Sequence, residues 1–334
     1  MMKNRNIYIT IIMTLLALAS CQKDELHTGP CGVKVKLYGK KHVEVTRAAG
    51  YQPLELSSSA LAAGLYVTMG DQEACFPMEW NGATFGSNVF LDKGDYTFYS
   101  CIPLREGNTT FTNGADDKFE LTEIPGLGAD DIMISHAAVN RNINNEENIT
   151  LPMNMDHITA CVSPHFYLHD EYAALRSIEI LAVEFAIFDG ENISIPYYKA
   201  AATYSGDEKF DIVWGDETTA ASTQWVKVYE AESSAKLSDK KVEALERGNC
   251  YVSPKQSTEH LKMRVTYNVY DKKGLLVREK VQAVNSINKL SGLSQEKTLT
   301  AGSNYKLYIK IVPSYLYVLS DNDESTMFVI NDQP

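Results

Sequence analysis

Seven histidines occur in the 334 residues, and three of them, His157, His165 and His169, fall within thirteen positions, beside Asp156 and Asp170. Imidazoles and carboxylates at this density are the raw material of metal centres and acid–base pairs. The spacing argues against both. On a strand rising ~3.3 Å per residue, His165 and His169 share a face but stand roughly 13 Å apart, too far for one ion. Solvated or hydrogen-bonded imidazoles are expected instead. Hard-oxygen pairs occur at Asp130-Asp131 and around Asp321, Asp323 and Glu324. The second set lacks the glycine and distal Glu of an EF-hand loop. No Gly-x-Ser-x-Gly, His-Glu-x-x-His or glycine-rich phosphate loop is present. The expectation is therefore no catalytic residue, no metal, no cofactor and no enzyme.

Sulfur chemistry is better marked. Lys3 and Arg5 precede an apolar run, Ile7 to Leu18, broken only by Thr10 and Thr14. That run is short for a ~30 Å hydrocarbon core and suits the apolar region of a signal peptide. It ends Leu18-Ala19-Ser20-Cys21, which looks like the bacterial lipobox, in which the Cys sulfur receives a diacylglycerol. The likeness implies a lipoprotein signal peptide over residues 1–20, lipidation at Cys21, and an outer membrane held through that lipid. The following Gln22-Lys23-Asp24-Glu25 resembles the tag that sends Bacteroidota lipoproteins to the cell surface. Export permits disulfides, but five cysteines remain (Cys31, Cys75, Cys101, Cys161 and Cys250), an odd number without a Cys-x-x-Cys spacing. Buried thiols are expected.

The elements that must position these residues read as strands. Val33, Val35 and Leu37 alternate with Lys34, Lys36 and Tyr38, the period of a half-buried strand. Leu261, Met263, Val265, Tyr267 and Val269 alternate with polar residues, Asp271-Lys272-Lys273-Gly274 supplies a turn, and Leu275 to Val284 runs back. Leu307, Ile309 and Ile311 alternate likewise. Helical patterning is scarce: one turn over Glu171–Ser177 and a short helix over Ser234–Arg247. Many short strands between turn signals indicate β-sandwiches. The polar stretch Arg141 to Asn148 reads as an exposed loop, and the join between two domains falls after the Cys161–Leu168 strand, near Glu171. The formal net charge of -12 excludes a nucleic-acid partner and argues against attachment to anionic lipid by surface charge.

The order of motifs resembles the Bacteroidota fimbrillin family. The lipobox is followed by Gly94-Asp95-Tyr96-Thr97-Phe98-Tyr99, by Ala129-Asp130-Asp131-Ile132-Met133, and by a strand opened by His157 with Ile158, Ala160 and Val162. Tyr251-Val252-Ser253-Pro254-Lys255-Gln256 sits where the family carries a Pro-Gln element, and Leu299 to Leu307 is similar to its C-terminal strand lead-in. The resemblance covers nearly the whole chain. It implies an all-β fold of two tandem transthyretin-like β-sandwich domains, residues 48–171 and 172–334, preceded by a pro-segment, residues 21–47, with a removable strand. It further implies a fimbrial subunit at the cell surface, exported as a lipoprotein, cut by an Arg-specific protease, and joined to other fimbrial subunits by strand exchange.

Three features fit that implication. Arg47 is followed by the small residues Ala48-Ala49-Gly50, which makes Arg47–Ala48 the expected cut. Loss of the strand carrying Val33, Val35 and Leu37 would leave an apolar groove between two unpaired sheet edges, a template for another chain's strand. Two strand-like stretches close the chain and are donor candidates: one with Tyr315, Tyr317 and Leu319, one with Met327 and Val329. They equally suit the completion of the second sandwich. A cleavable strand together with a terminal extension favours a stalk subunit. Residues 1–20 take away two basic residues and residues 21–47 a further six with three acids, leaving a net charge of -17. Two other readings stay open: a tip or adhesin subunit, with a host or bacterial surface ligand, and a glycan-binding lipoprotein using Tyr197, Tyr198, Trp214, Trp225 or Tyr229.

Overall fold

Side chains alternating with a period of two send every second residue to the same face, so strands position almost everything in this chain. The computed structural model describes residues 31–39, 43–44, 52–53, 62–70, 72–80, 85–86, 88–105, 108–112, 117–144, 148–168, 170–205, 209–215, 221–234, 236–237, 245–246, 248–287, 298–312, 315–320 and 323–331. Helix among them is limited to Asp170–Ala173. The chain is all-β.

The first sheet has ten strands. Cys31–Gly39, Asn148–His157, Met133–Ser135, Gly94–Ile102, Ala63–Met69, Gln72–Trp80 and Phe85–Gly86 lie side by side in that order. Ala63–Met69 is buried at every position from Ala63 to Thr68, the mark of a strand covered on both faces. Alternation sorts the two faces. Leu65, Phe98 and Met133 join Val33, Val35, Leu37 and Leu151 in one core. Their chain neighbours Tyr66, Tyr99 and Ile134 join Phe119, Leu121, Ala200, Ala202 and Tyr204 in another. A five-stranded sheet built from Thr109–Thr112, Asp117–Pro125, Ile195–Ser205, Lys209–Trp214 and Ala221–Ser222 covers that second face. Tyr99 stacks on Phe119 with ring centres 5.8 Å apart and meets Tyr204 at 5.5 Å, geometry that adds to plain area burial.

A third core lies between two further sheets. One contains Ala160–Leu168, Ser303–Val312 and Cys250–Val252; the other contains Arg176–Asp189, Leu261–Asp271 and Leu276–Ser286. The hairpin turn expected at Asp271–Gly274 is present. Asp271 Oδ1 accepts from Lys273 N at 2.8 Å and Leu275 N at 2.9 Å, and Gly274 takes φ +81°, which a side chain would strain.

Several strands pair where the sequence alone does not place them. Ala160–Leu168 pairs in parallel with Ser303–Val312, so the chain changes sheet between His157 and Ala160, ahead of Glu171. The hairpin Ile195–Ser205 and Lys209–Trp214, which a boundary near Glu171 would give to the second sandwich, pairs instead with Asp117–Pro125 of the first half. Leu127–Gly128 crosses the other way, onto Cys250–Val252. Alternation states which face is buried but not which sheet receives the strand. Within Ser234–Arg247, residues 236–237 and 245–246 are short strands, because Leu237 is drawn fully into the third core beside Ile178. Within Arg141–Asn148, Val139–Ile143 pairs with Gly94–Phe98, and Asn140, Arg141 and Asn142 face solvent.

Candidate functional site

The first core closes around the strand Cys31–Gly39, whose sequence places Val33, Val35 and Leu37 on one face. Val33 and Val35 are fully buried and Leu37 is 2% exposed, while Lys34 is exposed and Lys36 half-buried. One edge runs parallel to Asn148–His157, with Val33 beside Ile149, Val35 beside Leu151 and Leu37 beside Met153. The other edge is antiparallel to Asn88–Leu91, with Cys31 opposite Leu91 and Lys34 opposite Asn88. Further along, Tyr38 and Gly39 pair with Pro53 and Gln52.

Two properties describe how this strand is held. No hairpin binds it to its parallel partner, which lies far along the chain, so only docking holds it there. It is also the sole strand partner, among the described residues, of Asn88–Leu91, of Gln52–Pro53 and of the stretch 148–153. Taking it away unpairs a sheet edge on one side and two short lips on the other. Ile149, Leu151, Met153, Val89 and Leu91 would line the opening, since all are buried in the same core. Burying a Val or Leu side chain is worth about 1.5–3 kcal/mol, so the three inward residues supply on the order of 5–9 kcal/mol before entropy. A whole domain is stable by about 5–15 kcal/mol. An empty slot therefore leaves a sandwich near the limit of its stability.

Beyond the strand, Val43–Glu44 pairs in parallel with Ser303–Asn304 of the second half. The N-terminal segment thus passes from the first sheet to a later one alongside the chain's own passage from His157 to Ala160. A polar cluster secures that passage. Asp131 Oδ2 lies 2.7 Å from His157 Nδ1, Thr159 donates to Asp131 Oδ1 at 3.0 Å, and Gly302 N donates to Thr159 O at 2.9 Å. This places the Ala129–Met133 motif at the joint, where Asp131 bonds the chain on both sides of the sheet change. Nearby, Gly126 N donates to Pro196 O at 2.7 Å, and a Cβ on Gly126 would come within 2.7 Å of Gln256 Oε1. A side chain there would have to displace the Gln256 amide. Gln256 accepts from Tyr198 O–H at 3.0 Å, which ties the Pro-Gln element to the hairpin of the first half.

The remaining expected site residues are scattered. Cys21, Arg47 and Ala48 lie outside the described residues, as does His169. His165 stacks on Tyr308 at 5.4 Å, and His136 bonds Asp156. Among the described residues no group of three or more His, Cys, Asp or Glu could hold a metal ion. No disulfide joins Cys75, Cys101, Cys161 or Cys250, and the last three are buried. Burial pushes the Cys101 thiol up to about 11 and the Cys250 thiol well above its ordinary value, so neither is a ready nucleophile. Of the aromatic candidates, Tyr198 is buried edge-on against Trp214 at 6.5 Å. Trp225 is half-buried elsewhere, under the Arg264 guanidinium at 4.5 Å. They do not form one platform.

The donor candidates stay on their own subunit in the isolated chain. Tyr315–Ser320 is antiparallel to Ser303–Val312, with Tyr315, Tyr317 and Leu319 opposite Val312, Lys310 and Tyr308. Asp323–Asn331 is antiparallel to Tyr315–Ser320, with Met327 opposite Leu319 and Val329 opposite Tyr317, and it ends the sheet. The slot's walls, Asn88–Leu91 and Asn148–His157, were not singled out from the sequence. The alternation of Ile149, Leu151, Met153 and Met155 announces a half-buried strand but not its partner.

No family model matches the chain, and no curated protein sequence matches it. Solved structures do. A proposed cell adhesion protein from Bacteroides uniformis is 16% identical, covers 92% of this chain and 99% of its own, and superposes with a TM-score of 0.43. A second, from Bacteroides fragilis, is 14% identical, with 88% and 98% covered and a TM-score of 0.46. A fimbrial protein from Bacteroides vulgatus is 13% identical, with 90% and 99% covered and a TM-score of 0.38. What this chain is similar to, along most of its length, are adhesion and fimbrial proteins of Bacteroides.

Proposed function

We propose that this protein is a structural subunit of a cell-surface fimbria. It is exported as a lipoprotein precursor acylated at Cys21, cut between Arg47 and Ala48, and polymerised with other fimbrial subunits by strand exchange. It is held at the outer membrane first by lipid and then in the fimbria, and it catalyses no reaction. The observation that carries this reading is the docking of Cys31–Gly39, paired along both edges and buried at Val33, Val35 and Leu37, with no hairpin to its long parallel partner Asn148–His157. A cut after Arg47 would release that strand and leave main-chain groups and apolar pockets that only another extended strand can satisfy. The sequence resemblance supplies the class of assembly, and a stalk position suits a chain with both a removable strand and a terminal extension.

The test is direct. The exported form, residues 21–334, is treated with an Arg-specific protease. A single early N-terminus at Ala48 followed by a ladder of oligomers is expected. A preferred cut elsewhere, or a cut at Arg47 that leaves only monomer, would overturn the proposal.

A further inference from the structure

The resident strand buries Val33, Val35 and Leu37 in the inner row of the slot, while its outer row has no side chain at Gly32. Gly32 stands directly opposite Phe90 on the lip strand Asn88–Leu91. Residues opposite one another in an antiparallel pair present their side chains to the same face, and such pairs are the unit by which sheets are stabilised. Gly32 presents none. Phe90 is accordingly 67% exposed, the most exposed large apolar side chain among the described residues. Gly32 lies inside the strand and is paired on both edges, opposite Asn148 and Phe90, so it sits in a regular extended segment.

The chain's terminal strands differ in the same respect. Residues 33–37 of the resident strand are apolar in one alternating row and lysine in the other. Tyr315–Ser320 reads Tyr-Leu-Tyr-Val-Leu-Ser, and Asp323–Asn331 contains Met-Phe-Val-Ile; both carry apolar residues in both rows. A strand of that kind can fill the inner pockets and also cover an exposed ring on the outer face.

We propose that Phe90 is the residue of the slot that selects the incoming strand, and that Gly32 keeps the resident strand replaceable by leaving Phe90 uncovered. The occupant selected is a terminal strand of a second copy of this chain, with a β-branched or aromatic residue in the row that Gly32 holds. This rests on the strand-exchange reading above. The resident strand folds the subunit, and its replacement gains the contact it lacks.

The test uses residues 21–334 as the unmodified protein, Gly32→Val, Phe90→Ser and the double variant. Phe90 is exposed, so its replacement leaves folding intact. After the protease cut, release of the 21–47 fragment is timed. Gly32→Val is expected to slow release about two- to fivefold more when Phe90 is present than when it is replaced, the size of one good cross-strand pair. An equal slowing in both backgrounds is β-propensity alone and overturns the pairing. In a second measurement, a peptide of residues 315–331 is added to cut protein. Capture by the unmodified slot and weaker capture by Phe90→Ser supports the selection; equal capture overturns it. No capture by the unmodified slot sinks donation by these strands, while the release measurement still reads Gly32 against Phe90.

Discussion

At the scale of single residues, the slot depends on three side chains and the second half on a buried carboxylate. Val35 is fully buried between Lys34 and Lys36, and Val35→Asp would carry a carboxylate into the first core. An uncompensated buried charge costs more than about 3 kcal/mol, a large part of a domain's stability. The expected result is a precursor whose first half melts early by circular dichroism and is digested without added denaturant. Glu179 poses the opposite case. It is 5% exposed, and burial pushes its carboxyl up, but Tyr270 O–H, Ser234 N and Asn268 Nδ2 all donate to it, and the balance lies below its ordinary value of 4.5. A carboxyl lowered on folding contributes stability that is fully present above its unfolded value and is lost as pH falls through the folded one. Tyr270→Phe removes one donor and is expected to cost about 1 kcal/mol near pH 7, a cost that shrinks as pH falls below the carboxyl's ordinary 4.5 and through its lowered folded value. Urea melts at several pH values check it; a cost unchanged in acid would assign the loss to packing.

At the scale of elements, two kinds of strand contend for the same chemistry. Cys31–Gly39 runs parallel to its main partner, Asn148–His157, whereas Tyr315–Ser320 and Asp323–Asn331 follow Ser303–Val312 as an antiparallel series. The edge position of Asp323–Asn331 means that its departure breaks one row of pairing and leaves Tyr315–Ser320 still paired to Ser303–Val312. The outermost strand is therefore the one that leaves at least cost. Val329→Asp is expected to abolish oligomers of the cut protein while leaving the uncut precursor folded, read by gel filtration before and after protease. Full assembly of that variant would move the donor role to Tyr315–Ser320.

At the scale of the whole molecule, the two halves are interleaved rather than strung together. Ile195–Trp214 completes a sheet of the first half, Leu127–Gly128 and Ala160–Leu168 lie in a sheet of the second, and Val43–Glu44 reaches across as well. A fragment comprising residues 172–334 lacks Ala160–Leu168 and leaves Ile195–Ser205 without Asp117–Pro125. It is expected to give no dispersed amide spectrum and no cooperative melt. A well-folded fragment would show the interleaving to be dispensable. The net charge points the same way at this scale. Five lysines fall in residues 21–47, and the proposed cut would leave a remainder of net charge -17, a charge that disfavours non-specific association.

Local chemistry was legible in the residues themselves. The lysine–apolar alternation of 31–37 announced a half-buried strand, Asp271–Gly274 announced its turn, and the scarcity of helical periodicity announced an all-β chain, because side-chain period and turn conformation are set within a few residues. The family resemblance rested on the order of such signals. What the sequence could not state is which strands meet. That Val33 lies beside Ile149 and that Gly32 faces Phe90 are pairings across long loops, chosen by which cores close together. The same holds for Ala160–Leu168, which belongs with Ser303–Val312. Backbone hydrogen bonds are alike for every strand, so pairing is decided by shape and burial summed over the whole fold, and only the tertiary structure displays that sum.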